Sequence, residues 1–254
     1  MSNLRQRMLN GEKLLGTMLN IVDHIDIVKI LKVCGFDYFI LDCEHGVMDP
    51  SRMAAIIALA KEMDIGAMVR IAECSRELVI HCMELGADGL MLPNTDTAAQ
   101  ARELVRHAKY SPLGNRGVSM MRGHTRYVPV PDPLAYMKQA NDETILIVQV
   151  ESPESVANID EILAVDGIDV AFIGPNDLCH SLGVTGNQQS PVYLEAVEKV
   201  IAAARRHGKV SGIQMMNVPA LQHWIDRGAR FNLYSNEVNM MMNDAKAALK
   251  QLRG

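Results

Sequence analysis

The sequence predicts an α/β fold, a TIM (β/α)8 barrel formed as one domain over residues 1–254. Three observations predict it. Short apolar runs alternate with amphipathic stretches through the whole chain, giving eight strand candidates. The length, 254 residues, suits eight βα units closed as a single domain. Two of the runs are apolar almost throughout, as strands buried on both faces of a parallel sheet are: Ile145–Val150, interrupted only by Gln149, and Val170-Ala-Phe-Ile173. The alternative is an open doubly wound sheet, but no G-x-G-x-x-G follows the first strand.

Taken in order, the first strand is Leu14 to Asn20, and a helix from Ile25 to Val33 closes at Gly35. The second strand is Tyr38 to Leu41, followed by Asp42-Cys-Glu-His-Gly46. A helix starts at Pro50 and runs to about Met63. The third strand is Ala67 to Ile71, and its helix runs from Ser75 to Leu85 with Gly86 as the stop. The fourth strand, Gly89 to Leu92, ends at Pro93, and a helix takes Asp96 to about Ala108. The segment Tyr110 to Pro133 is rich in Gly, Pro and Arg and reads as a long functional or disordered loop. The fifth strand runs into Glu151, with Ser152 as cap and Pro153 in the first turn of a helix. The sixth is Val170 to Ile173, after which Gly174-Pro175 turns and Asp177 follows. A helix from Pro191 to His207, a strand from Val210 to Met215 and a helix from Val218 to Arg227 come next. The eighth strand is Phe231 to Tyr234, and the final helix is Glu237 to Leu252.

Bulk composition excludes several roles. Net charge is −5 with Lys and Arg scattered, so no basic patch for nucleic acid is present. No apolar run approaches ~18 residues, so no membrane span is expected, and the N-terminus lacks the apolar core of a signal peptide. Five scattered cysteines without a C-x-x-C read as reduced thiols, which places the protein in the cytoplasm. With 17 methionines against 4% aromatics, Met fills core space that Phe would otherwise take.

Chemistry in such a barrel sits at the C-terminal ends of strands. There the second strand delivers Asp42, Glu44 and His45, the third Arg70, the fifth Gln149 and Glu151, and the sixth Asn176 and Asp177. The seventh and eighth offer only Gln214, Asn217, Ser235 and Asn236. Two carboxylates after neighbouring strands, beside a Gln, make a hard-cation site or an acid/base pair. Oxygen ligands suit Mg²⁺ or Mn²⁺, with Co²⁺ as a further candidate. With His45 as base and Arg70 as a fixed cation, the cluster meets the needs of enolate chemistry on a 2-oxo acid. No assigned strand ends in Lys, which argues against a Schiff-base route.

At these residues the chain resembles the HpcH/HpaI class II pyruvate aldolases. Asp42-Cys-Glu-His45, Val69-Arg70, Gln149-Val-Glu151 and Gly174-Pro-Asn-Asp-Leu178 resemble the family signatures in order, and Gly114-Asn-Arg-Gly-Val118 resembles its Arg-Gly loop. The resemblance covers Gly16 to about Ala229. It implies a metal-dependent barrel assembled as a homo-hexamer, a trimer of dimers, with the last helix exchanged between subunits. It implies cleavage of a 4-hydroxy-2-oxo acid to pyruvate and an aldehyde. It also implies His45 as general base, Arg70 as transition-state stabiliser, Glu151 and Asp177 as metal ligands, and Gln149 and Asn176 at the pyruvate portion. Glu84 stands where the family's best-known members have the Asp that raises the basicity of the histidine, and Ser235-Asn-Glu-Val matches only loosely. A decarboxylase or acyl-CoA lyase on the same enolate site is the alternative chemistry. A non-catalytic 2-oxo-acid-binding barrel is the alternative class.

Simpler roles stand beside these. Glu151 and Asp177 sit where acids cap helices. Arg70 suits a salt bridge to Glu44 or Asp42. Arg116, Arg122, His124 and Arg126 form either a solvated loop face or a docking face for an anionic aldehyde. Placed in the last turn of its helix, one helix length of ~15 Å from the catalytic rim, Glu84 should lie far from His45 of its own chain.

Overall fold

A computed structural model describes residues 4–254. A short helix, α1 (Leu4–Leu9), precedes β1 (Leu14–Leu19). Then come α2 (Ile27–Val33), β2 (Tyr38–Asp42), α3 (Pro50–Glu62), β3 (Gly66–Arg70), α4 (Arg76–Leu85), β4 (Gly89–Leu92) and α5 (Ala98–Ala108). After a long connection follow α6 (Pro133–Glu143), β5 (Ile145–Val150), α7 (Pro153–Ala157), α8 (Ile159–Leu163), β6 (Val170–Ile173) and α9 (Pro175–Ser181). The chain finishes with α10 (Pro191–Arg206), β7 (Val210–Met215), α11 (Val218–Asp226), β8 (Phe231–Asn236) and α12 (Glu237–Arg253). All neighbouring strands are parallel, in sequence order, and β8 pairs back onto β1 to close the barrel. The (β/α)8 expectation is met.

Among the helices that escaped the apolar periodicity are α1 and α6. α1 has six residues, too few to show a period. α6 buries only Asn141, so it carries no apolar stripe. Its start is nonetheless marked, because Asp132 accepts the N–H groups of Leu134 and Ala135 and Pro133 occupies the first turn. The strands keep their places within a residue or two. β2 runs on to Asp42, whose backbone pairs in register with Arg70, and β8 runs on to Asn236.

The strand wall separates two cores. Inside it lies a dry plug that includes Met18, Tyr38, Ile40, Met68, Met91, Ile147, Phe172 and Phe231. Tyr38 stacks on Phe231 at 4.2 Å and donates its hydroxyl to the Asn232 carbonyl at 2.9 Å. Outside, the other faces of the strands meet the helix ring, from Leu19 and Val28 round to Trp224 and Ile225. Helix ends are capped locally. Ser75 accepts from the Leu78 N–H, and Gly86, at φ +100°, ends α4 in a left-handed turn that a side chain would strain. Among the described residues no helix is long and apolar enough to cross a membrane.

The Arg-rich connection is ordered by its own contacts. Arg116 is buried, lies 4.7 Å over the Tyr110 ring and donates to the Met83 carbonyl at 3.1 Å. His124 bridges the Tyr136 hydroxyl and the Ser119 carbonyl. Neither of the two roles weighed for this loop describes Arg116 and His124: Arg116 is buried and both are tied into the loop's own packing.

Candidate active site

The C-terminal mouth of the barrel gathers the charged strand-end residues on β2, β3, β5 and β6. Arg70, the last residue of β3, is 6% exposed. Its Nε donates to Asp42 Oδ1 at 2.9 Å and its Nη2 to Asp42 Oδ2 at 2.7 Å. Nη1 lies 2.9 Å from Glu44 Oε2. The guanidinium fork is therefore clamped on one edge by a fully buried carboxylate and steered by a second. Burial works against both charges of the pair, but the close contact keeps the Asp42 pKa below and the Arg70 pKa above their usual values.

Glu151 leaves β5 at once and is 4% exposed. Burial pushes its pKa from 4.5 up to about 7; the Asn94 N–H works against this, and Asp177 and Glu44 add to it. Its Oε2 accepts the Asn94 N–H at 2.9 Å, and its Oε1 accepts from Gln149 Nε2 at 2.6 Å. Asn94 takes the left-handed region (φ +47°) to present that N–H, and its side chain reaches Glu44 at 3.4 Å. Asp177 and Asn176 sit exposed in the first turn of α9. Gly174 packs against Glu151: a Cβ there would lie 2.3 Å from Glu151 Oε1 and 2.9 Å from Gln149 Nε2. Only glycine leaves the carboxylate and the amide where they stand.

Whether these donors suit a divalent cation can be judged from the chain itself. Two carboxylates belong to neighbouring strand ends, one of them too buried to ionise easily without positive charge nearby. Gln149 Oε1 is buried and has no hydrogen-bond partner. Among the described residues no group of three His, Cys, Asp or Glu side chains converges. A site of this kind fits a cation that shares its shell with Glu151, Asp177, water and the substrate's own oxygens.

His45 stands 66% exposed at the rim, with Nε2 3.8 Å from Glu44 Oε2. Its loop is fixed by Asp42 Oδ1, which accepts the N–H groups of Glu44 (3.1 Å) and His45 (3.3 Å). Glu84 is not brought to it. In the last turn of α4, Glu84 pairs with Arg122 at 3.6 Å. The site thus joins Arg70, Gln149, Glu151, Asn176 and Asp177 at one mouth, with His45 on the rim and Glu84 apart. Asn94 was missed, although Pro93-Asn94 after β4 carried a usable signal: Asn tolerates the left-handed region better than most residues.

The family model for HpcH/HpaI aldolase/citrate lyase matches residues 20–243. A hydroxypyruvate/pyruvate aldolase of Roseobacter denitrificans is 32% identical over 97% of this chain and 95% of its own. A 4-hydroxy-2-oxo-heptane-1,7-dioate aldolase of Salmonella paratyphi C is 31% identical over 93% of this chain and 89% of its own. The crystal structure of an HpcH/HpaI aldolase from Desulfitobacterium hafniense superposes with a TM-score of 0.94 at 36% identity, over 98% of this chain and 96% of that one.

Proposed function

Given that this chain belongs to the HpcH/HpaI aldolase/citrate lyase family and is a class II aldolase, a carbon–carbon lyase, we propose that it cleaves 4-hydroxy-2-oxo acids reversibly to pyruvate and an aldehyde. The observation that carries the substrate class is Arg70. Asp42 clamps it on one edge and Glu44 steers it, beside the buried pair Gln149 and Glu151. A planar cation so fixed suits the carboxylate and 2-oxo oxygens of a small acid.

His45 takes the proton of the 4-hydroxyl. The C3–C4 bond breaks, the aldehyde leaves, and the bonding electrons pass to C3 and the 2-oxo oxygen as an enolate. Arg70 faces the charge that develops on that oxygen. A proton delivered to C3 then gives pyruvate. Gln149 and Asn176 hold the pyruvate portion. Glu151 and Asp177 would hold Mg²⁺, Mn²⁺ or Co²⁺, which when bound supplies further positive charge at the 2-oxo group. The expected result is pyruvate release from a 4-hydroxy-2-oxo acid that stops in EDTA and returns with Mn²⁺. Full turnover in metal-free buffer would overturn the metal-dependent reading. No release from any 4-hydroxy-2-oxo acid in a panel would overturn the substrate class.

The assembly belongs to the same proposal, a homo-hexamer with α12 exchanged. Met241, Met242, Leu249 and Leu252 are exposed along α12. A mostly apolar groove of about 1070 Å³ runs between α3 and α4, lined by Met48, Met53, Ala54, Leu59, Leu78 and Leu85 among others. Apolar stripe and apolar groove lie on different faces of one chain, so a neighbour can satisfy both. Glu84 and Arg122 edge that groove, and a neighbouring subunit would bring Glu84 to support His45. Deleting residues 237–254 is expected to break the assembly, lowering the number of subunits per particle. Mixing Glu84→Gln with His45→Ala subunits is expected to recover activity that neither has alone. An unchanged number of subunits in the deletion, or no recovery from proven mixed assemblies, would reject the exchange or the role of Glu84 respectively.

A further inference from the structure

The contacts that hold Arg70 continue beyond Asp42. Asn20 Nδ2 donates to Asp42 Oδ2 at 2.6 Å, the same oxygen that takes Arg70 Nη2 at 2.7 Å. The Asn20 carbonyl accepts the Val47 N–H at 3.0 Å, two residues past His45. So one residue at the end of β1 touches the partner of Arg70 and the loop that carries His45. Asn20 itself is set by Glu237, the first residue of α12, which is 8% exposed. Glu237 Oε1 accepts three consecutive backbone N–H groups: Asn20 at 2.7 Å, Ile21 at 2.7 Å and Val22 at 3.2 Å. Consecutive N–H groups converging on one oxygen form an anion-holding concavity.

We propose that Glu237 is a positioning residue for the reaction: through Asn20 it sets both the Asp42–Arg70 clamp and the loop bearing His45. The proposal rests on the roles given to Arg70 and His45 above. A plain helix-cap role accounts for it poorly. Acids in a first turn favour their own helix's N–H groups, whereas this oxygen faces three N–H groups of another segment. The second oxygen, Oε2, is buried with no partner. α12 therefore carries two functions, an apolar stripe along its length and a positioning anchor at its first residue.

The test uses the full-length, metal-loaded enzyme. Glu237→Gln is expected to lower kcat about tenfold, in line with the cost of small misplacements at a reacting centre, with KM within about twofold of wild type. Asn20→Ala should lower kcat by a comparable factor. The double variant should match the worse single rather than the product of the two, because both act through one chain of contacts. Asp132→Ala removes the cap of α6, outside the site, and is expected to lower the Tm while kcat stays at wild type. If Glu237→Gln does not assemble, Glu237→Asp carries the test, since it keeps the charge and withdraws it by one methylene. Wild-type kcat in the Glu237 variant, multiplicative effects in the double, or an equal fall in Asp132→Ala would each overturn the proposal. Arg70→Lys is measured alongside. If Arg70→Lys keeps its kcat, the site reading itself fails; if it loses kcat while Glu237→Gln does not, only the role of Glu237 fails.

Discussion

Replacing Glu151 with Gln is expected to abolish turnover and divalent-cation binding while leaving a folded barrel, and Asp177→Asn should do the same. The two acids follow neighbouring strands, and only Glu151 is buried. Its folded pKa of about 7 lies above the usual 4.5. A raised carboxyl pKa means that the folded protein binds the proton more tightly than the unfolded chain does. Its favourable contribution is therefore full below about pH 4.5 and is lost as pH rises through about 7. Above that, ionised Glu151 costs on the order of 3 kcal/mol, at about 1.36 kcal/mol per pKa unit. Glu151→Gln escapes that cost. In EDTA, its Tm should match wild type near pH 5 and exceed it at pH 8, although the same protein is inactive with Mn²⁺. A variant that turns over normally without metal would remove Glu151 from the cation site. A Tm gap that does not grow with pH would show that Glu151 is ionised at no cost.

Arg70→Lys is the second large effect. Lysine keeps the charge but presents a single ammonium in place of the fork. It cannot reproduce the two bonds to Asp42 and the contact to Glu44 together. A fall in kcat on the order of 10²-fold or more is expected if Arg70 faces the developing oxyanion, with KM changed only a few-fold. Asp42, fully buried, is left with a poorer partner, so the Tm should drop as well. Rates are accordingly compared per folded protein, at a temperature where both are native. A loss confined to KM would make Arg70 a ground-state anchor rather than a stabiliser of the transition state.

The barrel was legible because its signals are local. Continuous apolar runs such as Ile145–Val150 leave little choice but a doubly buried strand, and Ser152-Pro153 marks the next helix start. The polar residues at strand ends followed from the strands themselves. What stayed hidden depends on contacts distant in sequence. The bond from Glu237 to Asn20 spans 217 residues, and that from Asn94 to Glu151 spans 57. Neither leaves a periodic trace. Arg70 suited both a salt-bridge role and a catalytic one, and the structure puts it in contact with Asp42 and Glu44 beside the remaining acids. α6 was missed because a helix whose one buried residue is polar offers no stripe to read.

The plug of Met, Phe, Tyr and aliphatic side chains inside the strand wall makes the mouth a blind well. Whatever enters must go out the way it came, and depth ranks the occupants. Arg70, Gln149 and Glu151 lie at the bottom, whereas His45, Asn176 and Asp177 stand at the lip. A well of that shape reads its two reactants with unequal strictness. The half seated at the bottom meets a fixed mould, and the half left at the lip meets loops whose other residues can change without disturbing it. On such a scaffold, a change of aldehyde calls for edits to the lip around His45, Asn176 and Asp177, with those three left in place.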